Sequence, residues 1–155
     1  MSLRAKVAGD NPSARAAKVW GVPGPRWFKE EDPIWRVHAD ASMFVGGIRS
    51  LLLQSLHPLA MAGVEDHSDY RSDPWMRVSN TSFFIAQTTF GTIDNAQRLI
   101  EAIRIMHDRV VGTAADGRPY AASDPHLLLW VHVAEIETFL TCYQTFSPAR
   151  LSPSE

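Results

Sequence analysis

The chain has 155 residues, of which 45% are hydrophobic and 21% charged, values that are ordinary for one globular domain. Its formal net charge of -2 leaves no basic excess to neutralise phosphates, so we expect no nucleic-acid partner. Cys142 is the only cysteine, which excludes an internal disulfide and a multi-thiolate metal centre within the chain. Such cysteine usage is typical of a reducing compartment, and we predict a cytoplasmic location.

Residues 1–34 are predicted to form an irregular leader, because prolines and glycines interrupt any helical period there. The leader also carries Trp20, Trp27 and Phe28, and large aromatic side chains gain much free energy from burial. We therefore expect the leader to pack onto the rest of the chain. The interrupting residues are Pro12, Gly21, Pro23, Gly24, Pro25 and Pro33.

Residues 35–146 are predicted to form a single all-α, bundle-like domain, because apolar side chains recur with a period near 3.6 and no stretch alternates as a strand does. Within the first helix, the pair Gly46 and Gly47 marks the close approach of another helix or of a flat ligand. Residues 147–155, rich in proline and serine, are predicted to be a frayed tail. The five predicted helices span residues 35–56, 58–64, 75–90, 93–111 and 124–146, the last with Ser123 as its cap.

The most apolar stretch, residues 43–64, is a poor candidate for a membrane span. Arg49, Gln54, His57 and Pro58 interrupt it. The stretch therefore predicts a buried core helix, while contact with a membrane surface stays open.

His107 is the most informative of the six histidines, because it lies on the apolar face of its helix with Ile100, Ile103 and Val110. Two interpretations stay open. His107 is either a core histidine whose ring hydrogen-bonds a carbonyl, or an axial ligand to haem iron. His132 has a similar apolar setting on the last helix and carries the same two interpretations.

Arg77 and Thr81 are four residues apart and therefore share a helix face. An arginine at such a place suits a carboxylate, such as a haem propionate, because its guanidinium is a fixed bidentate donor. The alternative is that Arg77 pairs with a neighbouring carboxylate, either Asp69 or Asp73.

The carboxylates show a weaker pattern. Glu135 and Glu137 are two residues apart on a predicted helix and point in different directions, which argues against a two-carboxylate hydrolase. Asp66, His67 and Asp69 could together hold a divalent metal, although three such residues in a loop are a weak signal.

An ordered series of motifs resembles the catalytic domain shared by latex-clearing proteins and mpaB-type oxygenases, over about residues 35–146. Each motif alone is weak, and their order makes the resemblance specific. The motifs are Leu52-Leu53-Gln54-Ser55-Leu56-His57-Pro58, Ala62-Gly63-Val64, His67-Ser68, Asp73-Pro74 with Arg77 and Thr81, Phe90-Gly91-Thr92 with Ala96, His107 with Val110 and Gly112, Gly117-Arg118 with Tyr120, Ala122 and Asp124-Pro125, and Trp130-Val131-His132.

The resemblance implies an all-helical domain that holds haem b. Members with an assigned activity cleave carbon–carbon double bonds of isoprenoid chains with dioxygen, so an apolar small-molecule substrate is expected. By motif, His107 matches the proximal ligand of the haem iron, and Arg77 and Thr81 match a pair beside the haem pocket. His132 matches a histidine on the following helix that supports the cofactor site from outside.

This sequence departs from the family pattern in two ways. Asn80 stands where latex-clearing proteins carry a lysine next to the threonine. Domains of the family also continue with further helices beyond the point where this chain stops, so the resemblance implies a truncated domain. The alternative function is therefore a non-catalytic or degenerate family member that holds no haem and acts through self-association or a protein partner.

Overall fold

The computed structural model describes residues 3–155, and this range contains eight helices and one two-stranded antiparallel sheet. The all-α prediction is confirmed, and the additional elements lie in segments that were predicted to be irregular. In chain order the elements are α1 (Leu3–Ala8), α2 (Pro12–Trp20), α3 (Pro33–Ala39), α4 (Ser42–Ser55), α5 (Pro58–His67), α6 (Pro74–Phe90), α7 (Ile93–His107), β1 (Val111–Thr113), β2 (Pro119–Ala121) and α8 (Pro125–Phe146).

Proline begins most of these helices, because its fixed φ suits the first turn and its missing N–H is not needed there. In α2, α5, α6 and α8 the side chain before the proline then caps the helix, whereas Asp32 before α3 makes no such hydrogen bond. Asp73 accepts a hydrogen bond from the backbone N–H of Met76 at 2.9 Å. On α8 the cap is Asp124, which accepts from the N–H of His126 at 2.7 Å, and not Ser123 as predicted.

The helix predicted over residues 35–56 is divided at Asp40 into α3 and α4. Asp40 has extended backbone angles, and its carboxylate accepts a hydrogen bond from the N–H of Ser42 at 2.8 Å. An aspartate that binds a backbone N–H two residues ahead competes with the helical hydrogen bonds, which explains the break. Ser147, directly after α8, donates its hydroxyl to the same carboxylate at 3.0 Å, so the break also ties α4 to the end of α8.

The leader differs from its prediction because it contains α1 and α2. Asn11 caps α2 by accepting from the N–H of Ala14 at 3.1 Å, so Pro12 starts a helix where it was read as a breaker. The expectation that the leader packs onto the domain is confirmed. Trp20 stacks on Phe90 of α6 with ring centroids 5.1 Å apart.

The segments predicted to lack structure are also tied down by hydrogen bonds. In the tail, the N–H of Leu151 donates to the side chain of Gln144, which donates back to the Leu151 carbonyl, both at 3.1 Å. The loop between α7 and α8 contains the predicted turn at Gly117, whose φ of +86° suits glycine. This turn joins β1 and β2, each of three residues and too short to show an alternating pattern.

The closest helix pair is α4 and α8, which run antiparallel. Gly46 contacts Phe139, and further along α4 the Arg49 side chain donates to Thr138 at 2.9 Å. A Cβ atom on Gly46 would lie 2.9 Å from the buried ring of Phe139, whereas one on Gly47 would meet nothing within 4 Å. Of the two readings of this glycine pair, close helix packing is confirmed at Gly46.

Replacing Gly46 and Gly47 separately by alanine should therefore have opposite effects on stability. Gly46→Ala forces α4 and α8 apart and should lower the free energy of unfolding by about 1–3 kcal/mol. Gly47→Ala is the matched control and should raise it by about 0.5–1 kcal/mol through helix propensity alone. Urea unfolding followed by circular dichroism measures both. Equal effects from the two substitutions would contradict the packing described here.

His38 of α3 is a second link between helices. Its Nδ1 lies 2.7 Å from the hydroxyl of Thr89 on α6, and its ring meets Phe139 of α8 edge-on at 5.5 Å. Burial lowers the pKa of His38 to about 4, so the folded chain holds this ring neutral well below neutral pH.

This burial predicts a pH dependence of stability. Because the pKa of His38 in the folded state is about 4, below its ordinary 6.5, only the unfolded chain takes up this proton as pH falls from 6.5 to 4. The stability contribution is therefore complete above pH 6.5 and is lost towards pH 4, by at most about 3 kcal/mol. Urea unfolding at several pH values should show that His38→Gln loses less free energy of unfolding on acidification than the unmodified chain does. His126→Gln, at an exposed histidine, should lose as much as the unmodified chain. Equal losses of stability in the two variants would contradict the prediction.

Candidate functional site

Arg77 lies at the centre of the candidate site, half-buried in the first part of α6. Its Nη2 donates a hydrogen bond to Oε1 of Gln54, near the end of α4, at 3.0 Å. Within residues 3–155 no ion pair joins Arg77 to Asp69 or Asp73, and Asp73 instead caps α6. The alternative prediction of a neighbouring aspartate partner for Arg77 is therefore wrong.

Two titratable groups from other helices lie close enough to Arg77 to be affected by its charge. Burial raises the pKa of Glu135 on α8, and the guanidinium of Arg77 opposes that rise. Burial likewise lowers the pKa of Arg77, and the Glu135 carboxylate opposes that change. In the part of the chain that the structure describes, no ion pair within 4 Å joins the two side chains. Their interaction therefore acts through space and leaves most N–H groups of Arg77 available.

His107 is the second group beside Arg77, at the last residue of α7. Burial lowers its pKa, Asp108 raises it, and the charge of Arg77 lowers it. The net lowering keeps the imidazole neutral at neutral pH, with one ring nitrogen carrying a free lone pair. Among the described residues the ring has no hydrogen-bond partner, so the reading of His107 as a core histidine bound to a carbonyl is not supported.

Thr81 follows Arg77 by one turn of α6 and is half-buried, as the shared helix face predicted. Its neighbour Asn80 has a different environment. The Asn80 side chain accepts a hydrogen bond from Arg15 of α2 at 2.8 Å, and Arg15 also donates to the Ser79 carbonyl at 2.7 Å. The position at which latex-clearing proteins carry a lysine is therefore bound by the leader in this chain.

His132 lies on α8, three residues before Glu135, and its side chain is exposed. Its predicted part in cofactor binding stays a prediction, since no contact joins it to Arg77 or His107 among the described residues.

The structure gives a different picture for the residues of the proposed divalent-metal site. Asp66 accepts from the hydroxyl of Tyr120 at 2.5 Å, and residues 3–155 contain no cluster of three or more potential metal ligands.

Two residues of the site were missed in the sequence. Gln54 was noted only as an interruption of an apolar stretch, and Glu135 only as one of two badly placed carboxylates. A signal was present for Glu135. It directly follows Ala134, which belongs with Leu127 and Thr138 to the buried stripe of α8. A carboxylate beside a buried stripe needs a partner, and the partner here is the arginine of another helix.

Apolar side chains are exposed along both α4 and α8. None of the helices in residues 3–155 has the length and apolarity needed to cross a membrane. A shallow cleft of about 300 Å³ opens where the end of α4 meets the start of α8, lined by His57 and Trp130 among others. The exposed residues are Phe44, Val45, Ile48 and Leu52 of α4, Leu56 that follows it, and Leu128, Leu129, Trp130, Val133, Ile136, Leu140 and Phe146 of α8.

The fold and the site define the class of protein. It is an all-α domain that holds a half-buried imidazole and a half-buried arginine between its helices. The chain matches the family described as ER-bound oxygenase mpaB/B'/Rubber oxygenase, catalytic domain, over residues 35–155. Because this match covers most of the chain, the protein belongs to the mpaB/rubber oxygenase catalytic-domain family, and the resemblance found in the sequence is confirmed. No curated protein and no solved structure matches the chain.

Proposed function

We propose that this chain is a haem b-dependent oxygenase domain acting on an unsaturated, apolar small molecule such as an isoprenoid. Membership of an oxygenase catalytic-domain family supports the general role. The observation that carries the proposal is His107, a half-buried imidazole with lowered pKa and no protein partner among the described residues, within range of the charge of the half-buried Arg77.

The chemistry of these side chains fits haem. Iron is held by a neutral imidazole, and the lowered pKa of His107 keeps it in that form. A haem propionate is a carboxylate, and Arg77 retains N–H donors for it because Gln54 occupies only one nitrogen in the described structure. The donor set therefore matches both the metal and the acidic edge of the cofactor.

Each side chain would have a separate task in the reaction. Bound haem would supply the activation of dioxygen. His107 would hold the iron through one ring nitrogen, and Arg77 would neutralise and orient a propionate. Thr81, one turn from Arg77, would offer its hydroxyl to a polar group bound on the same face. His132 would support the site from outside, and membership of the oxygenase family favours an apolar substrate.

Hemin titration followed by visible spectroscopy tests the iron ligand. The unmodified chain should develop a Soret band at one hemin per chain, and His107→Ala should lose it because the only proposed iron ligand is gone. His126→Ala removes an exposed histidine as the matched control and should bind hemin normally. His132→Ala should weaken binding only in part. An unchanged Soret band in His107→Ala would refute the assignment of the ligand.

The exposed apolar side chains of α4 and α8 favour a second candidate function, self-association of two copies. The largest apolar patch on a typical monomer covers about 300–600 Å². Twelve apolar side chains lie exposed on these two helices and at Leu56, each between 37% and 69% exposed, and extensive apolar exposure of this kind marks an interaction surface. The ion pair of Arg49 with Glu137, at 2.5 Å, joins the same two helices. The apolar composition suits a second copy better than an anionic membrane surface, which attracts clustered basic residues.

Sedimentation velocity tests this second candidate. The unmodified chain should sediment as a dimer. Leu52→Glu and Ile136→Glu should each shift it towards the monomer, because a charge at an apolar interface is costly to bury. Ile105→Glu, at an exposed position of α7, is the matched control and should leave the dimer intact. A monomeric unmodified chain at all concentrations would remove self-association as a function.

A further inference from the structure

Arg77 is held from two sides by different kinds of interaction. On the α4 side, Gln54 accepts a hydrogen bond at 3.0 Å, which fixes one nitrogen of the planar guanidinium. On the α8 side, Glu135 lies along the same stretch of the antiparallel helix pair as Gln54, because contacts between the α4–α5 segment and α8 flank both residues. Its negative charge acts on Arg77 without any ion pair within 4 Å among the described residues. The three side chains are half-buried and come from three separate helices.

The two neighbours should affect a bound anion in opposite ways. A hydrogen bond restrains the long arginine side chain, so less conformational entropy is lost when an anion binds. A nearby carboxylate lowers the positive potential around the guanidinium, and it would repel the carboxylate of a ligand that binds there. Glu135 therefore competes with a ligand for the charge that Gln54 keeps in place.

We propose that Gln54 and Glu135 set the strength with which Arg77 binds a carboxylate, Gln54 by positioning the guanidinium and Glu135 by competing for its charge. This inference rests on the proposed haem function, in which that carboxylate is a propionate. It assigns a specificity role to two residues that touch neither the iron ligand nor Thr81 among the contacts of the described chain. Glu135 thereby keeps the positive potential at Arg77 below its maximum, while Gln54 fixes where that potential lies.

Hemin and hemin dimethyl ester provide the test, because the ester has the same ring and metal but no free carboxylates. The ratio of the two dissociation constants, measured by Soret titration at pH 8, isolates the contribution of the carboxylate. In the unmodified chain hemin should bind about tenfold more tightly than the ester, the size expected for a charge-assisted hydrogen bond. Arg77→Met should abolish that preference.

The two neighbouring residues should then change the ratio in opposite directions. Gln54→Met, a near-isosteric change that removes the acceptor, should reduce the preference for hemin about threefold to tenfold. Glu135→Gln, which removes only the charge, should increase it about threefold. Affinity for the ester should stay unchanged in both variants, which shows that the pocket is intact. Gln97→Met and Glu101→Gln, both on α7, make the same chemical changes at exposed positions and should leave the ratio unchanged.

The possible outcomes separate this inference from the proposed function. If the unmodified chain binds neither compound, the proposed haem function and this inference both fall. If it binds both compounds equally, haem binding stands and the role of Arg77 towards a carboxylate falls. If hemin is preferred but Gln54→Met and Glu135→Gln leave the preference unchanged or move it in the same direction, the roles of Gln54 and Glu135 are overturned.

Discussion

The close approach of α4 to α8 is the constraint on which the rest of the structure depends. Gly46 permits it, because a side chain there would meet the buried ring of Phe139. The two helices are antiparallel, so residues after Gly46 lie beside residues before Phe139. Gln54 and Glu135 are both displaced in this direction, towards the same end of the helix pair. The glycine contact thus brings an amide and a carboxylate into the neighbourhood of Arg77 on α6.

Local signals in the sequence were sufficient for most helix positions, because proline and a preceding polar residue mark a helix start wherever they occur. The starts of α5 and α8 followed from Pro58 and Pro125, whereas Pro74, which begins α6, was assigned to the preceding connector. Pro12 carries the same signal, but the neighbouring glycines and prolines of the leader obscured it. The break at Asp40 could not be predicted in the same way. It depends on the bond between the Asp40 carboxylate and the N–H of Ser42, and a serine after α8, more than one hundred residues away, binds the same carboxylate.

The candidate site shows a similar division. His107, Arg77 and Thr81 could be singled out because each pattern lies within a single helix. The first is a histidine on an apolar stripe, and the second is an arginine and a threonine one turn apart. Gln54 and Glu135 acquire their significance only when α4, α6 and α8 come together. Arg77 is 23 residues from Gln54 along the chain, and it is farther still from Glu135. The exposure of His132 was equally hidden, because its apolar neighbours belong to a face that the described chain leaves uncovered.

The proposed binding of haem through His107 connects the family membership with the geometry of the site, and replacement of this ligand tests it most directly. His107→Gly removes the imidazole and leaves space for free imidazole to take its place at the iron. The account predicts that this variant binds hemin with a Soret band only when imidazole is added, and that the restored band saturates at one hemin per chain. A variant that binds hemin equally well without imidazole, or that fails to bind it when imidazole is present and the chain is folded, would contradict the central claim.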